Sequence, residues 1–347
     1  MPESGNVIGY IDGVADGDVF GWALDKSAPG EPVLLTVYAD GHPMMQILTV
    51  EYRPDIAATF GNEGLNGFRI KIPTEFVSDT PVEISVVSEA GDHLIHSPFR
   101  VGGDLLMAPP ELNHDDHESC LLFMHIQKTS GTAFREAIIA NYRRSELLFV
   151  YPSAPGVWHE AFHKIPYAQR NGFRCVTGHF VFGIHKKIEA PSTYVTVLRD
   201  PVARVVSNYY HLMRNQSLEV RSFQGDVLSL QEVLAKQATA ELDNLIVRCF
   251  SGNGARQCPP GMVGLDAYKL AVENLKYFRF VGHQEASEDA WQSLRQMFGW
   301  RKGELRKANV GQAVDYDLSR QTRLAIEHYC RYDIMFYEYV LTRWPHK

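Results

Sequence analysis

The sequence contains no long apolar run. None of its stretches approaches the roughly 20 consecutive apolar residues that a helix needs to cross a bilayer. The first residues, Met1–Gly5, also lack the basic start and the apolar segment of a secretory signal peptide. Both absences predict a cytoplasmic protein with no transmembrane segment, and they leave peripheral contact with a membrane open.

Cysteine pairs are missing as well. The chain has five cysteines, an odd number, and no two of them are spaced as CxxC. This pattern argues against a disulfide scaffold and against a zinc ribbon, so we interpret the cysteines as reduced thiols. A loop closed by Cys249 and Cys258 stays open as an alternative. The five positions are Cys120, Cys175, Cys249, Cys258 and Cys330.

The chain also lacks a strong positive charge. Its formal net charge is -7, and residues 1–100 carry 15 acidic and 5 basic side chains. The remaining residues carry 26 acidic and 29 basic side chains, a small positive excess. Such a balance argues against nucleic acid as the main partner, whereas one compact anionic cofactor suits the second part of the chain.

The N-terminal part has the pattern of an all-β domain. Short β-rich runs occur at Val33–Tyr38, Phe68–Ile72 and Val82–Val87, and turn signals such as Asp40-Gly41 separate them. Runs of this length and spacing are typical of an antiparallel sandwich. The sequence therefore predicts a β-sandwich domain over residues 1–102.

A polar segment follows this domain. Residues 103–118 contain Pro109-Pro110 and the run His114–Glu118, which indicate a linker. The run contains residue types that bind metals, but five consecutive side chains do not converge easily on one ion. We therefore predict a solvated linker and no metal site.

After the linker, apolar strands alternate with helical patterns. Leu121–Ile126 and Thr193–Leu198 are predicted as buried strands, and each is followed by a loop and a helix, Thr132–Ile139 and Val202–Met213. This alternation predicts an α/β domain over residues 119–347, with a central, largely parallel sheet flanked by helices.

The first of these strand-loop-helix junctions is a candidate phosphate site. Small and hydroxyl residues lie between the strand end and the helix start, where backbone N–H groups and the helix dipole attract an anion. Lys128 adds a mobile cation. The loop has no GxxxxGK[ST] pattern, which argues against a nucleoside triphosphatase. The predicted anion-binding residues are Gln127, Lys128, Thr129, Ser130, Gly131, Thr132 and Ala133.

The second junction is a candidate site for another phosphate. Asp200 is predicted to cap a helix that begins at Pro201, which places Arg199 at the carboxyl end of the preceding strand. Ligands of open α/β sheets bind at that edge. Arg204 and Ser207 are three residues apart on the helix, so we expect both to converge with Arg199 on the phosphate.

The two junctions resemble one enzyme family. His125–Thr132 is similar to the 5′-phosphosulfate loop of the carbohydrate O-sulfotransferases related to heparan sulfate 2-O- and 6-O-sulfotransferases. Leu198–Tyr210 resembles their 3′-phosphate motif, including the spacing of eight between arginine and serine. The resemblance covers roughly residues 120–340. It implies a P-loop-like sulfotransferase fold and the donor 3′-phosphoadenosine 5′-phosphosulfate (PAPS).

The resemblance also implies roles for single residues. Lys128 would stabilise the departing phosphate oxygen, and His179, which follows the short segment Cys175–Gly178, would accept the proton of the acceptor hydroxyl. A loop near the C-terminus would close over the nucleotide through Arg306, Lys307 and Asn309. Other candidates for the base are His159, His163, His185 and Glu160.

The expected reaction is transfer of a sulfuryl group from PAPS to a hydroxyl of a glycan or glycolipid, without a metal ion. Gly21–Asp25, Arg53–Ile56 and Gly67–Arg69 resemble a small β-domain that precedes bacterial glycan-modifying transferases. Two alternatives stay open. One is a non-catalytic glycan-binding or scaffold protein with a degenerate transferase domain, and the other is a kinase-like phosphoryl transferase.

Overall fold

The computed structural model describes residues 5–62, 64–76, 80–102, 106, 119–150, 162, 164–253, 258–305 and 318–345. The chain divides into two compact units. Unit 1 comprises Met1–Asn113 and Tyr142–Val176, and unit 2 comprises His114–Asn141 and Thr177–Lys347.

These units differ from the predicted division at residues 102 and 119. Residues 142–176 group with the N-terminal residues, and the side chain of Gln169 shows why. Its Nε2 donates to the Leu48 carbonyl at 3.0 Å, and its Oε1 accepts from the Leu48 N–H at 2.8 Å. The predicted linker lies outside the described residues except for Leu106. The predicted boundaries themselves stay a prediction.

Unit 1 contains two antiparallel sheets. One has three strands in the order β1-β2-β5, and the other has four in the order β4-β3-β6-β7. The strands are β1 (Val7–Ala15), β2 (Asp18–Asp25), β3 (Leu34–Ala39), β4 (His42–Leu48), β5 (Gly67–Lys71), β6 (Val82–Ser88) and β7 (Phe99–Val101).

Alternating side chains build one apolar cluster from both sheets. In β3, Leu35 and Val37 are fully buried while their neighbours are half-buried, which is the period-two pattern of a strand with one covered face. Phe68 of β5 and Ile84 of β6 belong to the same cluster. The antiparallel sheets predicted for the N-terminal part are thereby confirmed, and their assignment as a sandwich stays a prediction.

A third sheet has five strands in the order β12-β11-β8-β10-β9. Strand β11 pairs in parallel with β8 on one side and with β12 on the other. Every side chain of β8 is buried, as expected for a strand covered on both faces. This confirms the predicted α/β arrangement. The strands are β8 (Cys120–Met124), β9 (Leu147–Val150), β10 (Cys175–Gly178), β11 (Ser192–Leu198) and β12 (Phe278–His283).

The helices confirm both predicted strand-loop-helix junctions. The second begins at Pro201, and Asp200 caps it by accepting a hydrogen bond from the Ala203 N–H at 2.8 Å. The helices are α1 (Pro54–Phe60), α2 (Gly131–Ile139), α3 (Tyr167–Gly172), α4 (Pro201–Arg214), α5 (Leu230–Ala235), α6 (Leu245–Ser251), α7 (Leu265–Asn274), α8 (Ser287–Phe298), α9 (Arg320–Tyr329) and α10 (Arg331–Arg343). Short 3₁₀ turns lie at Thr74–Phe76, Arg144–Glu146, Ile184–Lys187, Leu218–Val220, Ala240–Leu242, Leu275–Tyr277 and Gln284–Ala286.

The described residues also bear on two predictions from the sequence, one about membrane-spanning helices and one about cysteine pairing. Among the described residues, no helix has both the length and the apolar composition to span a membrane. All five cysteines are free thiols, so Cys249 and Cys258 do not close a loop. Burial raises the pKa of the Cys249 thiol to about 12, which keeps it protonated.

Candidate functional site

A cleft opens in unit 2 where β8, β10 and β11 end. Its volume is about 1320 Å³, larger than the roughly 300–1,000 Å³ of a common small-molecule pocket, so it has room for two reactants. Both predicted junctions contribute to its wall. The polar and charged lining residues are His125, Gln127, Lys128, Ser130, Thr132, His179, Arg199, Asp200, Ser207, Asn208, His211, Arg214, Asn215, Ser217, Glu219, Glu241, Gln284 and Arg323.

The loop of the first junction has an unusual backbone. Lys128 and Ser130 both have positive φ, 68° and 61°, a left-handed conformation that non-glycine residues adopt at a cost of about 1 kcal/mol or more. Left-handed residues in such a turn direct neighbouring N–H groups into a concave surface that suits an anion. The loop is closed by Thr129, whose Oγ1 donates to the Ile126 carbonyl at 2.9 Å.

This closure settles which loop residues meet the cleft. Thr129 is 1% exposed and does not line it, so its side chain closes the loop, and its contact with the cofactor stays a prediction. The other predicted residues of the loop do line it, namely Gln127, Lys128, Ser130, Gly131, Thr132 and Ala133.

Gly131 is required by the packing at the start of α2. A Cβ atom at this position would lie 1.9 Å from Cδ2 of His125, far inside van der Waals contact. The His125 ring is buried, and it stacks on Phe123 at a centroid distance of 6.1 Å. Burial, with a smaller contribution from neighbouring His179, lowers the pKa of His125 well below its ordinary value, so this ring is neutral.

His179 is held against the same junction. Its Nδ1 lies 2.6 Å from the backbone oxygen of His125, and a carbonyl oxygen only accepts hydrogen bonds. Nδ1 therefore carries the proton, and Nε2 is the basic nitrogen of the neutral ring. Burial lowers the pKa of His179 below its usual value, and this keeps the ring neutral at pH 7. His179 thus has the tautomer and charge of a proton acceptor.

Arg199 joins the second junction to the first. It follows β11 directly, and its Nη1 donates a long hydrogen bond of 3.5 Å to the Lys128 carbonyl. Burial lowers the pKa of the Lys128 amine, and the charges of Arg214 and Arg199 lower it further. Mutual repulsion of these cations is relieved when an anion enters, so this end of the cleft attracts negative charge.

One face of α4 supplies further cleft residues. Ala203, Ser207, His211 and Arg214 follow one another at steps of four, four and three, and all line the cleft. Sequence reasoning identified Ser207 but missed His211 and Arg214. Both residues could have been identified from the sequence, because His211 and Arg214 lie four and seven residues after Ser207 and so share its helix face.

Arg204 does not join this face, contrary to expectation. It is fully buried and absent from the cleft wall. Its Nη1 donates to the Glu241 carbonyl at 3.0 Å, and its Nη2 lies 3.9 Å from Oδ2 of the fully buried Asp333. The buried carboxylate draws the long side chain into the core, so Arg204 supports the cleft from behind.

Glu241 is one of three carboxylates in the described cleft wall, with Asp200 and Glu219. Its Oε2 accepts a hydrogen bond from Nδ2 of Asn208 at 3.1 Å. It lies in a short 3₁₀ turn, Ala240–Leu242, where no helical or strand period marks it in the sequence. Sequence reasoning therefore missed it.

The remaining candidates lie elsewhere. His185 does not line the cleft, and its Nδ1 lies 2.9 Å from the Tyr194 hydroxyl. Among residues with described positions, no group of three or more His, Cys, Asp or Glu side chains could hold a metal ion. The candidates outside the described residues are His159, Glu160, His163, Arg306, Lys307, Asn309 and the run His114–Glu118.

Comparisons with known proteins give weak structural similarities. No family model matches the chain, and no curated protein matches its sequence. A sulfotransferase from Alicyclobacillus acidocaldarius is similar at 13% identity over 65% of this chain and 97% of that protein, with a TM-score of 0.38. Mouse sulfotransferase SULT7A1 complexed with PAP is similar at 14% identity over 54% of this chain and 59% of that protein, with a TM-score of 0.30. At these scores the similarities do not establish a function, which has to be inferred from the cleft.

Proposed function

We propose that the protein is a sulfotransferase that moves a sulfuryl group from PAPS to a hydroxyl of a glycan or glycolipid. One observation supports this most strongly. Two strand-loop-helix junctions bring Lys128, Arg199 and Ser207 into the wall of one cleft, and the end of β10 adds His179 to it. Two candidate anion sites and a neutral histidine are what a nucleotide donor with two anionic groups and a hydroxyl acceptor require.

The donor spans the two junctions. Its 5′-phosphosulfate lies at the loop around Lys128 and the N-terminus of α2, where backbone N–H groups and the helix dipole favour an anion. Its 3′-phosphate is bound by the Arg199 guanidinium and the Ser207 hydroxyl. The spacing of the two junctions along the same sheet edge sets the orientation of the nucleotide.

The transfer then needs one base and one cation. The acceptor oxygen attacks sulfur, and its proton passes to Nε2 of His179. The bond between sulfur and the bridging oxygen of the 5′-phosphate breaks, and its electron pair stays on that oxygen. Lys128 and the loop N–H groups stabilise the charge that develops there, so the proposal assigns this work to the protein rather than to a metal ion.

The untested assignments from the sequence belong to the same proposal. Unit 1 would contain a β-sandwich of the type that precedes bacterial glycan-modifying transferases, and unit 2 a P-loop-like transferase. Arg306, Lys307 and Asn309 would contact the nucleotide, and the protein would act in the cytoplasm.

Binding of PAP, the product 3′-phosphoadenosine 5′-phosphate, tests the proposal directly. Isothermal titration should show one site for PAP, with ATP binding at least about tenfold more weakly because it lacks the 3′-phosphate. Arg199→Ala should weaken PAP binding by roughly 10–100-fold, since a charge-assisted contact is lost. Arg100→Ala is the control, because that side chain is 77% exposed in unit 1. The wild-type chain failing to bind PAP would overturn the proposal.

A further inference from the structure

We infer that the acceptor is an electrically neutral polyhydroxy compound, such as an uncharged glycan, and that one of its hydroxyls donates a hydrogen bond to Glu241. Polyanionic glycans are excluded as preferred acceptors. This inference rests on the proposed sulfotransferase function and concerns the half of the cleft that the donor does not occupy.

Glu241 is a fixed carboxylate. Asn208, which is 1% exposed, donates to its Oε2 at 3.1 Å. The backbone carbonyl of Glu241 accepts from fully buried Arg204 at 3.0 Å, and its N–H donates to Oγ1 of Thr239 at 3.3 Å. Buried Asn208 therefore holds the carboxylate and buried Arg204 holds its backbone, which is the arrangement expected of a preorganised binding group.

The donor does not use this carboxylate. PAPS carries about four negative charges at neutral pH, since a phosphate monoester alone carries about -1.5 to -2. The lysine and arginine side chains described in the cleft wall are also four, and the same wall contains the carboxylates of Asp200, Glu219 and Glu241. The donor and these carboxylates together more than balance the four cations, and a carboxylate beside an anionic donor only repels it. The four cations are Lys128, Arg199, Arg214 and Arg323.

Glu241 lines the same cleft as Lys128, His179 and His211. Burial lowers the pKa of all three side chains, and the charge of Glu241 partly offsets that lowering. The part of the acceptor that meets Glu241 is therefore near the reacting hydroxyl. A neighbouring hydroxyl can donate to the carboxylate and hold the reacting oxygen toward sulfur and toward His179.

The negative charge of Glu241 favours neutral acceptors over anionic ones. An acceptor with carboxylates or sulfates near the reacting hydroxyl would place like charges beside Glu241, with Glu219 further along the cleft wall. A neutral glycan does not meet this penalty and supplies the hydroxyl donors that Glu241 requires.

Fractionated glycans provide the first test. A cell-derived glycan extract is separated on an anion exchanger before reaction, and label from ³⁵S-PAPS is followed into the unretained and the retained fractions. We expect most acceptor activity in the unretained, neutral fraction. Preferential labelling of the retained fraction, or no labelling of the neutral fraction by protein that binds PAP, would overturn the inference.

Glu241→Gln provides the second test. The charge is lost at nearly constant shape, so KM for the neutral acceptor fraction should rise about tenfold while the Kd for PAP changes less than about threefold. Glu219→Gln removes an equal charge at an exposed position of the cleft wall and should have a smaller effect on KM. An unchanged KM in Glu241→Gln contradicts the inference.

The two proposals fail in different ways. If the wild-type chain binds no PAP, the sulfotransferase function is wrong. If PAP binds and label enters polyanionic acceptors preferentially, the function stands and only the assignment of the acceptor class and of Glu241 is wrong.

Discussion

The two strand-loop-helix junctions of unit 2 differ in how they would bind the anionic groups of the proposed donor. At the first, Lys128 and Ser130 have a left-handed backbone, a conformation that suits anion binding through N–H groups, and Gly131 allows the His125 ring to pack over the helix start. At the second, the backbone forms an ordinary capped helix, and the side chains of Arg199 and Ser207 face the cleft.

This difference predicts different sensitivities to substitution. A site made from backbone N–H groups depends on backbone conformation. It should keep its affinity for an anion when a side chain is truncated, and lose that affinity when a substitution changes the backbone conformation. A site made from side chains loses affinity with each truncation but keeps its fold. Substitutions at each junction test whether the two sites differ in this way.

The largest expected effect on activity is at His179, whose ring is hydrogen-bonded to the His125 carbonyl at the first junction. His179→Asn keeps a donor near the His125 carbonyl but removes the base, so kcat should fall about 10²–10⁴-fold with little change in PAP binding. His185→Asn is the control, because His185 is absent from the cleft wall. Loss of turnover in the control with retention in His179→Asn would identify His185 as the base.

The pH profile of the wild-type protein belongs to the same test. A base must be deprotonated to act, and burial lowers the pKa of His179 below the usual histidine value of 6.5. The acid limb of kcat/KM should therefore lie below pH 6.5, with full activity retained at pH 7. A limb centred above pH 7 would contradict the assignment.

The next effect is at Gly131, where the first junction should prove sensitive to one methyl group. Gly131→Ala forces a Cβ to within 1.9 Å of the His125 ring, so we expect a loss of about 1–3 kcal/mol of stability and at least roughly tenfold in PAP affinity. Gly172→Ala is the matched control, because its Cβ meets no atom within 4 Å. Thermal unfolding and PAP titration measure both, and equal effects at the two glycines would refute the packing argument.

The sequence was sufficient to predict the local architecture of both junctions. Strand β8 is a continuous apolar run, β11 is rich in β-branched residues, and Asp200-Pro201 is a direct helix-start signal, so these elements appear within a residue or two of their predicted bounds. The convergence of Lys128 and Arg199 also follows, because neighbouring parallel strands end at the same edge of a sheet.

Contacts between distant parts of the chain were not predictable in the same way. Arg204 has the correct spacing for a cleft residue, and only the buried carboxylate of Asp333 shows why it turns into the core. Glu241 reaches the cleft because Asn208 and Arg204 hold its turn. The pairing of Gln169 with Leu48 likewise depends on which chain segments meet in space. The periodicity of apolar residues along the sequence does not indicate which distant side chains will form such contacts.

The smallest expected effect compares one serine from each junction. Ser207→Ala removes a hydroxyl from the side-chain site and should weaken PAP binding about fivefold to tenfold. Ser130→Gly removes a hydroxyl from the backbone site, but glycine adopts the φ of 61° without strain, so PAP affinity should stay within about twofold. Both are measured by titration, with the exposed helical Ser293→Ala as a control for serine loss. If Ser130→Gly weakened binding more than Ser207→Ala, the first junction would also bind through side chains, and the contrast between the two sites would disappear.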